Sequence, residues 1–432
     1  MSQLQDTWIA IKDWVLENDW VSSNIILIND LIANNFTLSK VAGLLTIIIT
    51  IVGTGFLAQF GKRSFDLLLE KKSSTKGQVV GLPISEPDNT QNKLRQLSSQ
   101  DLINLYGKQN PPFGVTIGGN ERTFAATRVI EPSGSGAIDQ QKIDFRYVDT
   151  WFKLDNELSA LTRSTLEAIE GANDKDLFNG DPFRIVDISI KGERTEIVVG
   201  RCKYFDSLRT SYSLDIVLPT IRKSLREFLQ PEGAVFEPLG KSRLPNHMGL
   251  VVLIETMDGQ LVVQKRSTKV QNRTGTLSAS VTGTFEKSDL SSERNRSLSF
   301  KAAMRGVMRE VHSELGGDYD SDISGLYFLG LMREFRRGGF PDFYFYCEAQ
   351  YSFEQVLRNA KHAEEAYEID EVLGYYAGGR FLTKDALKEK KAFDDRISNI
   401  LRSIDGKSNL TLKLGIALYY DLISRRVNSF EN

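Results

Sequence analysis

The chain has 432 residues, 41% of them apolar and 25% charged, with a net charge of −2. That length accommodates two or three compact domains, and the near-neutral balance gives no bulk drive toward duplex nucleic acid. Two distant cysteines, Cys202 and Cys347, and three scattered histidines, His247, His312 and His362, offer no spacing for a zinc cluster or a disulfide framework.

Residues 1–35 carry Trp8, Ile11, Trp14, Val15 and Trp20, a spacing that predicts an amphipathic segment at a membrane interface. Residues 36–62 centre on an uncharged apolar run from Val41 to Phe60. About 20 residues at 1.5 Å each cross a hydrocarbon core of about 30 Å, so one transmembrane helix is predicted. A signal peptide fits poorly, because no short basic region precedes the run. A second crossing through Ile25–Ala33 would carry Asn29 and Asp30 into lipid, and an Asp there costs about 2.5–3.5 kcal/mol. Lys62, Arg63, Lys71 and Lys72 follow the run, against Lys12 and Lys40 before it. Basic residues stay on the cytoplasmic side, so the N-terminus is expected outside and the later domains inside. Gly43, Thr46, Thr50 and Gly53 form a small-residue stripe that lets helices pack closely in lipid, which points to a homo-oligomer.

Residues 63–100 include KKSSTKGQ and SEPDNTQNK, the composition of a linker. Residues 101–235 read as a small α+β domain. Phe183–Ile190 alternates as a strand does, Lys191-Gly192-Glu193 is turn-like and Glu196–Val199 continues the pattern. Leu158–Ile169 has helical spacing. No catalytic motif stands out in this segment.

Residues 236–432 hold the chemistry. Gly249–Thr256 reads as a buried strand, Asp258-Gly259 as a hairpin turn and Gln260–Ser267 as the returning strand. Ser278–Gly283 is a further strand, and Glu286 follows it. Arg309-Glu310-Val311-His312-Ser313-Glu314-Leu315-Gly316 then places two carboxylates at i and i+4. On a helix they share one face, where a pair of oxygens suits Mg²⁺. The bland reading is an amphipathic helix with Val307, Val311 and Leu315 buried. Arg333–Tyr346 is a basic, glycine-containing turn leading into an aromatic strand. Arginines fork onto phosphates and aromatic faces stack on bases, so Arg333, Arg336, Arg337 and Phe343 are candidate ligand contacts. The tail from about Thr383 to Arg426 is helical in pattern, and its apolar stretch Leu412–Ile423 is too short to span a bilayer.

These segments, in this order, resemble the Nudix hydrolases and their box G-x5-E-x7-R-E-U-x-E-E-x-G-U over roughly Pro245 to Gly378. The resemblance implies an α/β/α sandwich for the C-terminal domain, preceded by the α+β domain and the transmembrane helix. It implies Glu310 and Glu314 as metal-binding and catalytic residues, Mg²⁺ as the ion, and Arg266 and Arg309 beside the ligand. Glu364, Glu365 and Glu368 are candidates for a base from the late loop, with no choice among them. The box is incomplete. Counting back from Arg309 puts Lys301 at the first box Glu and Asn295 at the box Gly, Ser313 replaces a Glu, and Gly317 replaces an aliphatic residue.

The architecture is similar to that of membrane-anchored Nudix-like effectors of bacterial cyclic-oligonucleotide antiphage signalling (CBASS). That resemblance implies a bacterial inner-membrane protein whose cytoplasmic head binds a nucleotide, expected to be a cyclic oligonucleotide, and oligomerises to perturb the lipid bilayer. The alternative is a membrane-tethered, Mg²⁺-dependent pyrophosphatase acting on a nucleoside diphosphate derivative such as a UDP-sugar. A membrane adaptor that uses the fold only to bind partners is a third reading.

Overall fold

The run Gly249–Glu255 is buried along its whole length in the computed structural model, as a strand covered on both faces must be. Successive side chains of a strand point to opposite faces, and here they feed two different cores. Leu250, Val252 and Ile254 enter one; Val251 and Leu253 enter the other. The parallel neighbour Phe340–Ala349 divides in the same way, with Phe343, Phe345 and Cys347 on the first side and Tyr344 and Tyr346 on the second.

The structure describes residues 97–132, 138–171, 179–218, 220–267, 275–290, 297–317, 323–382 and 387–429. All of them fall within one contact unit, Val80–Asn432. The expected amphipathic segment, the crossing over 36–62 and most of the linker lie outside the described residues. Among the described residues no helix is long and apolar enough to cross a membrane.

In chain order the strands are β1 (Phe113–Ile117), β2 (Asn120–Phe124), β3 (Ala126–Ile130), β4 (Ile143–Trp151), β5 (Phe183–Lys191), β6 (Arg194–Arg201), the short pair β7 (Val217–Leu218) and β8 (Lys223–Ser224), β9 (Gly249–Glu255), β10 (Gln260–Arg266), β11 (Leu277–Ser278), β12 (Val281–Thr284), β13 (Ser297–Ser299), β14 (Ile323–Glu334), β15 (Phe340–Ala349) and β16 (Ile369–Tyr376). The helices are α1 (Ser99–Tyr106), α2 (Asn156–Leu161), α3 (Arg163–Gly171), α4 (Tyr204–Leu208), α5 (Leu225–Leu229), α6 (Lys287–Leu290), α7 (Phe300–Leu315), α8 (Phe353–Ala360), α9 (Leu387–Ser403) and α10 (Leu410–Asn428).

The central sheet has the order β11-β10-β9-β15-β14-β3, with β12 also on β9 and β16 also on β10. One edge of β9 is shared. Near its end Glu255 pairs with Leu261 of β10, while Gly249–Val252 pair with Thr284–Val281 of β12. The β9–β10 hairpin turns at Gly259, whose φ of +79° suits glycine. One face of the sheet packs on α7 and α8 through Val307, Val311, Leu315, Val356 and Ala360. The other packs on α9 and α10 through Phe393, Ile397, Leu418 and Tyr419. This is a mixed α/β fold with a sheet between helical layers.

The segment preceding β9 is built into the same body. β3 joins the central sheet beside β14. A second sheet, β13-β4-β6-β5, places Phe145, Phe183, Ile185, Ile197 and Val199 in the α7-side core. The single helix expected over Leu158–Ile169 is instead α2 and α3. They break at Thr162, which leaves helical geometry and turns its hydroxyl back onto the Leu158 carbonyl at 2.7 Å, a local bond that competes with helix propagation.

Candidate metal site

Glu310 and Glu314 lie one turn apart on α7 and face the edge of β12. The Thr284 N–H donates to Glu310 Oε1 at 3.1 Å and the Thr282 N–H donates to Glu314 Oε1 at 3.2 Å. Gly283, between these two donors, is what allows the approach. A Cβ there would sit 2.1–2.6 Å from the Glu310 carboxyl atoms, inside any tolerable contact. The third carboxylate comes from the loop before β16. The Glu365 N–H donates to the Ser313 carbonyl at 2.8 Å, which ties that loop to the end of α7. Oxygens of Glu310, Glu314 and Glu365 thereby lie within 4.8 Å of one another. Of the three late-loop glutamates, Glu365 enters the cluster while Glu368 pairs with Arg266 at 3.0 Å.

Electrostatically this cluster is under load. Burial raises the Glu310 carboxyl to about 7, against the opposing pull of Arg309. Burial and the neighbouring Glu310 carry Glu314 well above the usual carboxylate range. Burial, then Glu368, raises Glu365. Glu314 is 2% exposed and its Oε2 has no hydrogen-bond partner. An unpaired buried oxygen is costly, and crowded carboxylates favour protonation unless a cation neutralises them. Three convergent carboxylates, one of them carrying an unpartnered buried oxygen, fit Mg²⁺, which takes a few carboxylates together with water and substrate phosphate.

Arg309 locks this arrangement. Its Nε and Nη2 fork onto the two Asp289 oxygens at 2.8 and 3.1 Å. Its Nη1 reaches Glu310 Oε1 at 3.0 Å, and Nη2 also donates to the Thr284 carbonyl at 2.9 Å. Such forked pairs fix geometry as well as charge. Asp289 is an acidic partner for Arg309 that the count back from Arg309, which reached Lys301 and Asn295 and found no match, did not name; Asn295 lies outside the described residues. Gly283-x5-Asp289 supplies the glycine and an acidic partner for Arg309, which stands 20 positions further on where the box spaces them by eight. The additional residues include β13, which pairs with β4 of the second sheet. The usable signal was the forward count from Gly283.

Arg266 also stands at this site. Its Nη1 donates to Thr282 Oγ1 at 3.2 Å, and its buried Nε has no hydrogen-bond partner. It borders a cavity of about 160 Å³ that runs past β12 to Arg337 and Asp342. Arg337 is 6% exposed and is held by Glu334 and Asp342, so it forms part of the cavity wall within a buried ion network. The other expected ligand contacts are employed elsewhere. Arg333 donates to the Gly339 carbonyl at 2.9 Å and lies over Phe236. Arg336 donates to the Leu97 carbonyl at 2.6 Å. Phe343 is fully buried against Phe145, Phe285 and Phe328, with no face left for a base. The basic turn closes on α1 and its surroundings because Gly338 and Gly339, both at positive φ, fold the strand connection back on itself.

No family profile matches the sequence, and no curated protein matches it. Among solved structures, the chain is similar to DR0079 from Deinococcus radiodurans, at 16% identity over 40% of this chain and 83% of that one, with a TM-score of 0.25. It is also similar to Tm1382, a protein proposed to be a Nudix hydrolase, at 16% identity over 41% of this chain and 71% of that one, with a TM-score of 0.23. Scores this low leave the functional argument to the site itself.

Proposed function

We propose that the protein is a Mg²⁺-dependent hydrolase of a nucleoside diphosphate derivative, working at the Glu310–Glu314–Glu365 cluster. The observation that carries this reading is the third carboxylate: Glu365 restores the ligand count that Ser313 removes. Bound Mg²⁺ would neutralise the diphosphate and acidify a coordinated water. Glu310 and Glu314 hold the ion site against β12, and Arg309 keeps their geometry through Asp289. Glu365, the most open of the three carboxylates, would bind the ion through one oxygen and take the water's proton on the other as the water oxygen bonds to phosphorus. The bridging P–O bond breaks and the second phosphate leaves, with Arg266 beside it to balance its charge.

The test uses the purified full chain with Mg²⁺ and a panel of UDP-sugars, ADP-ribose and cyclic oligonucleotides. Turnover that stops with EDTA and falls at least about 100-fold in kcat in Glu365→Gln, as loss of a general base produces, supports hydrolysis. Turnover indifferent to both refutes it. The uncharged run at 41–60 favours a second reading, a membrane-anchored receptor that oligomerises on a nucleotide signal. Under that reading an intact cyclic oligonucleotide raises the melting temperature without forming product.

A further inference from the structure

Glu368 stays outside the carboxylate cluster and lies on Arg266 instead. We infer that Glu368 is an internal competitor: in the ligand-free protein its carboxylate occupies the phosphate-binding edge of Arg266, and a ligand phosphate binds there by displacing it. This rests on the reading that a substrate phosphate comes to Arg266, and it adds what holds that place beforehand.

The donor geometry carries the argument. Nε and Nη2 of an arginine lie on one side of the guanidinium and form a fork that matches two oxygens of a carboxylate or phosphate. Arg309 uses its fork in full, with both prongs on Asp289 at 2.8 and 3.1 Å. Arg266 does not. Its Nη2 donates to Glu368 Oε2 at 3.0 Å, while its Nε is buried with no hydrogen-bond partner. Nη1 is fixed separately, by Thr282 Oγ1 at 3.2 Å. Glu368 is thus a one-pronged occupant of a two-pronged site, and an unmet buried donor is costly. A phosphate group carries enough oxygens for both prongs.

The surroundings make Glu368 easy to displace. Its side chain is 28% exposed and that of Arg266 15%, so the carboxylate can turn into water while the arginine stays. Pairs this open contribute little. Glu368 also sits among like charges: after burial, it is the next cause that raises Glu365. The backbone need not follow it. The Glu368 N–H donates to the Glu365 carbonyl at 2.9 Å, and the Ser267 N–H donates to the Glu368 carbonyl at 2.8 Å. Those bonds bolt the turn between the cluster and the end of β10, so only a side chain has to swing. A bulge between Lys265 and Arg266 brings Arg266 opposite Ile369 and aims the arginine toward Glu368, as bulges beside sites re-aim side chains.

The experiment is calorimetric titration of the full chain with inorganic pyrophosphate, EDTA present. A site whose open form is only partly populated binds more weakly by that fraction, so Glu368→Gln is expected to tighten binding at least about threefold, the scale of a partly exposed ion pair. Arg266→Gln should weaken binding. In that background Glu368→Gln should bring no gain, because no fork is left to release. Arg266→Lys keeps the charge without the fork and reports the same loss of gain if Arg266→Gln is too unstable to purify. The inference is overturned if Glu368→Gln binds pyrophosphate no more tightly than wild type, or if no form binds it. It is equally overturned by a gain that survives in the Arg266 variants, which would make Glu368 a diffuse repelling charge. With metal removed, nothing here depends on turnover. A protein that hydrolyses nothing but shows the released fork loses the proposed activity and keeps this competition.

Discussion

Replacing Glu314 by Gln should stabilise the metal-free protein while removing its response to Mg²⁺. Glu314 is 2% exposed, its Oε2 lacks a partner, and Glu310 lies beside it. Gln keeps the oxygen that accepts from Thr282 and offers an amide N–H to Glu310, so one unsatisfied acceptor becomes a donor. Leaving a buried polar atom unpaired costs about 1–3 kcal/mol, and relief of part of that gives a gain of about 1–2 kcal/mol. At about 2–4 °C per kcal/mol for domains of 150–250 residues, the melting temperature should rise by about 2–8 °C in EDTA. With Mg²⁺ at 100 times its Kd the wild type gains about 2.7 kcal/mol, and the variant, missing a ligand, gains far less. The order of stability therefore inverts during the titration. Differential scanning fluorimetry across a Mg²⁺ series reads this directly. A variant less stable than wild type in EDTA, or one with an undiminished Mg²⁺ response, refutes the argument that strain at Glu314 is held for a cation.

Two further predictions address the frame of the site. Gly283→Ala places a methyl group 2.1–2.6 Å from the Glu310 carboxyl atoms and should expel that side chain from β12. Mg²⁺ affinity is expected to fall at least tenfold and metal-free stability by about 1–3 kcal/mol, since the Thr284 N–H and Arg309 lose their Glu310 partner; isothermal titration and urea unfolding separate the two. His247 is buried and, with Arg337 nearby, is drawn down to about 3 from an ordinary 6.5. The unfolded chain then binds the extra proton, so its contribution is present above pH 6.5 and is lost as pH falls toward 3. At about 1.36 kcal/mol per unit, wild type should lose about 2 kcal/mol between pH 7 and 5 that His247→Asn does not, measured by urea unfolding at the two values.

Much of the core was legible from local pattern. The β9–Asp258-Gly259–β10 hairpin, the β5–β6 pair around Gly192 and the helical character of the tail follow from period and turn chemistry, which act within a few residues; the break between α9 and α10 was not read. Glu310 and Glu314 were readable for the same reason: an i, i+4 pair needs only the helix. The aromatic run of β15 was also readable as a strand, but which of its rings meets a ligand was not. Alternation assigns Phe343 to a face without saying what covers that face.

What sequence alone determined about this protein is therefore a strand–turn–strand, an acidic helix and an uncharged run at 41–60. Only the tertiary structure decided that Asp289 is Arg309's partner across an insertion that feeds β13 into the second sheet. It alone brought Glu365, and not Glu364 or Glu368, into the cluster with Glu310 and Glu314, and drew Arg333, Arg336 and Phe343 into contacts within the fold. Such juxtapositions depend on contacts between residues distant in the chain, and a carboxylate joins a cluster only when folding carries it within reach of the others.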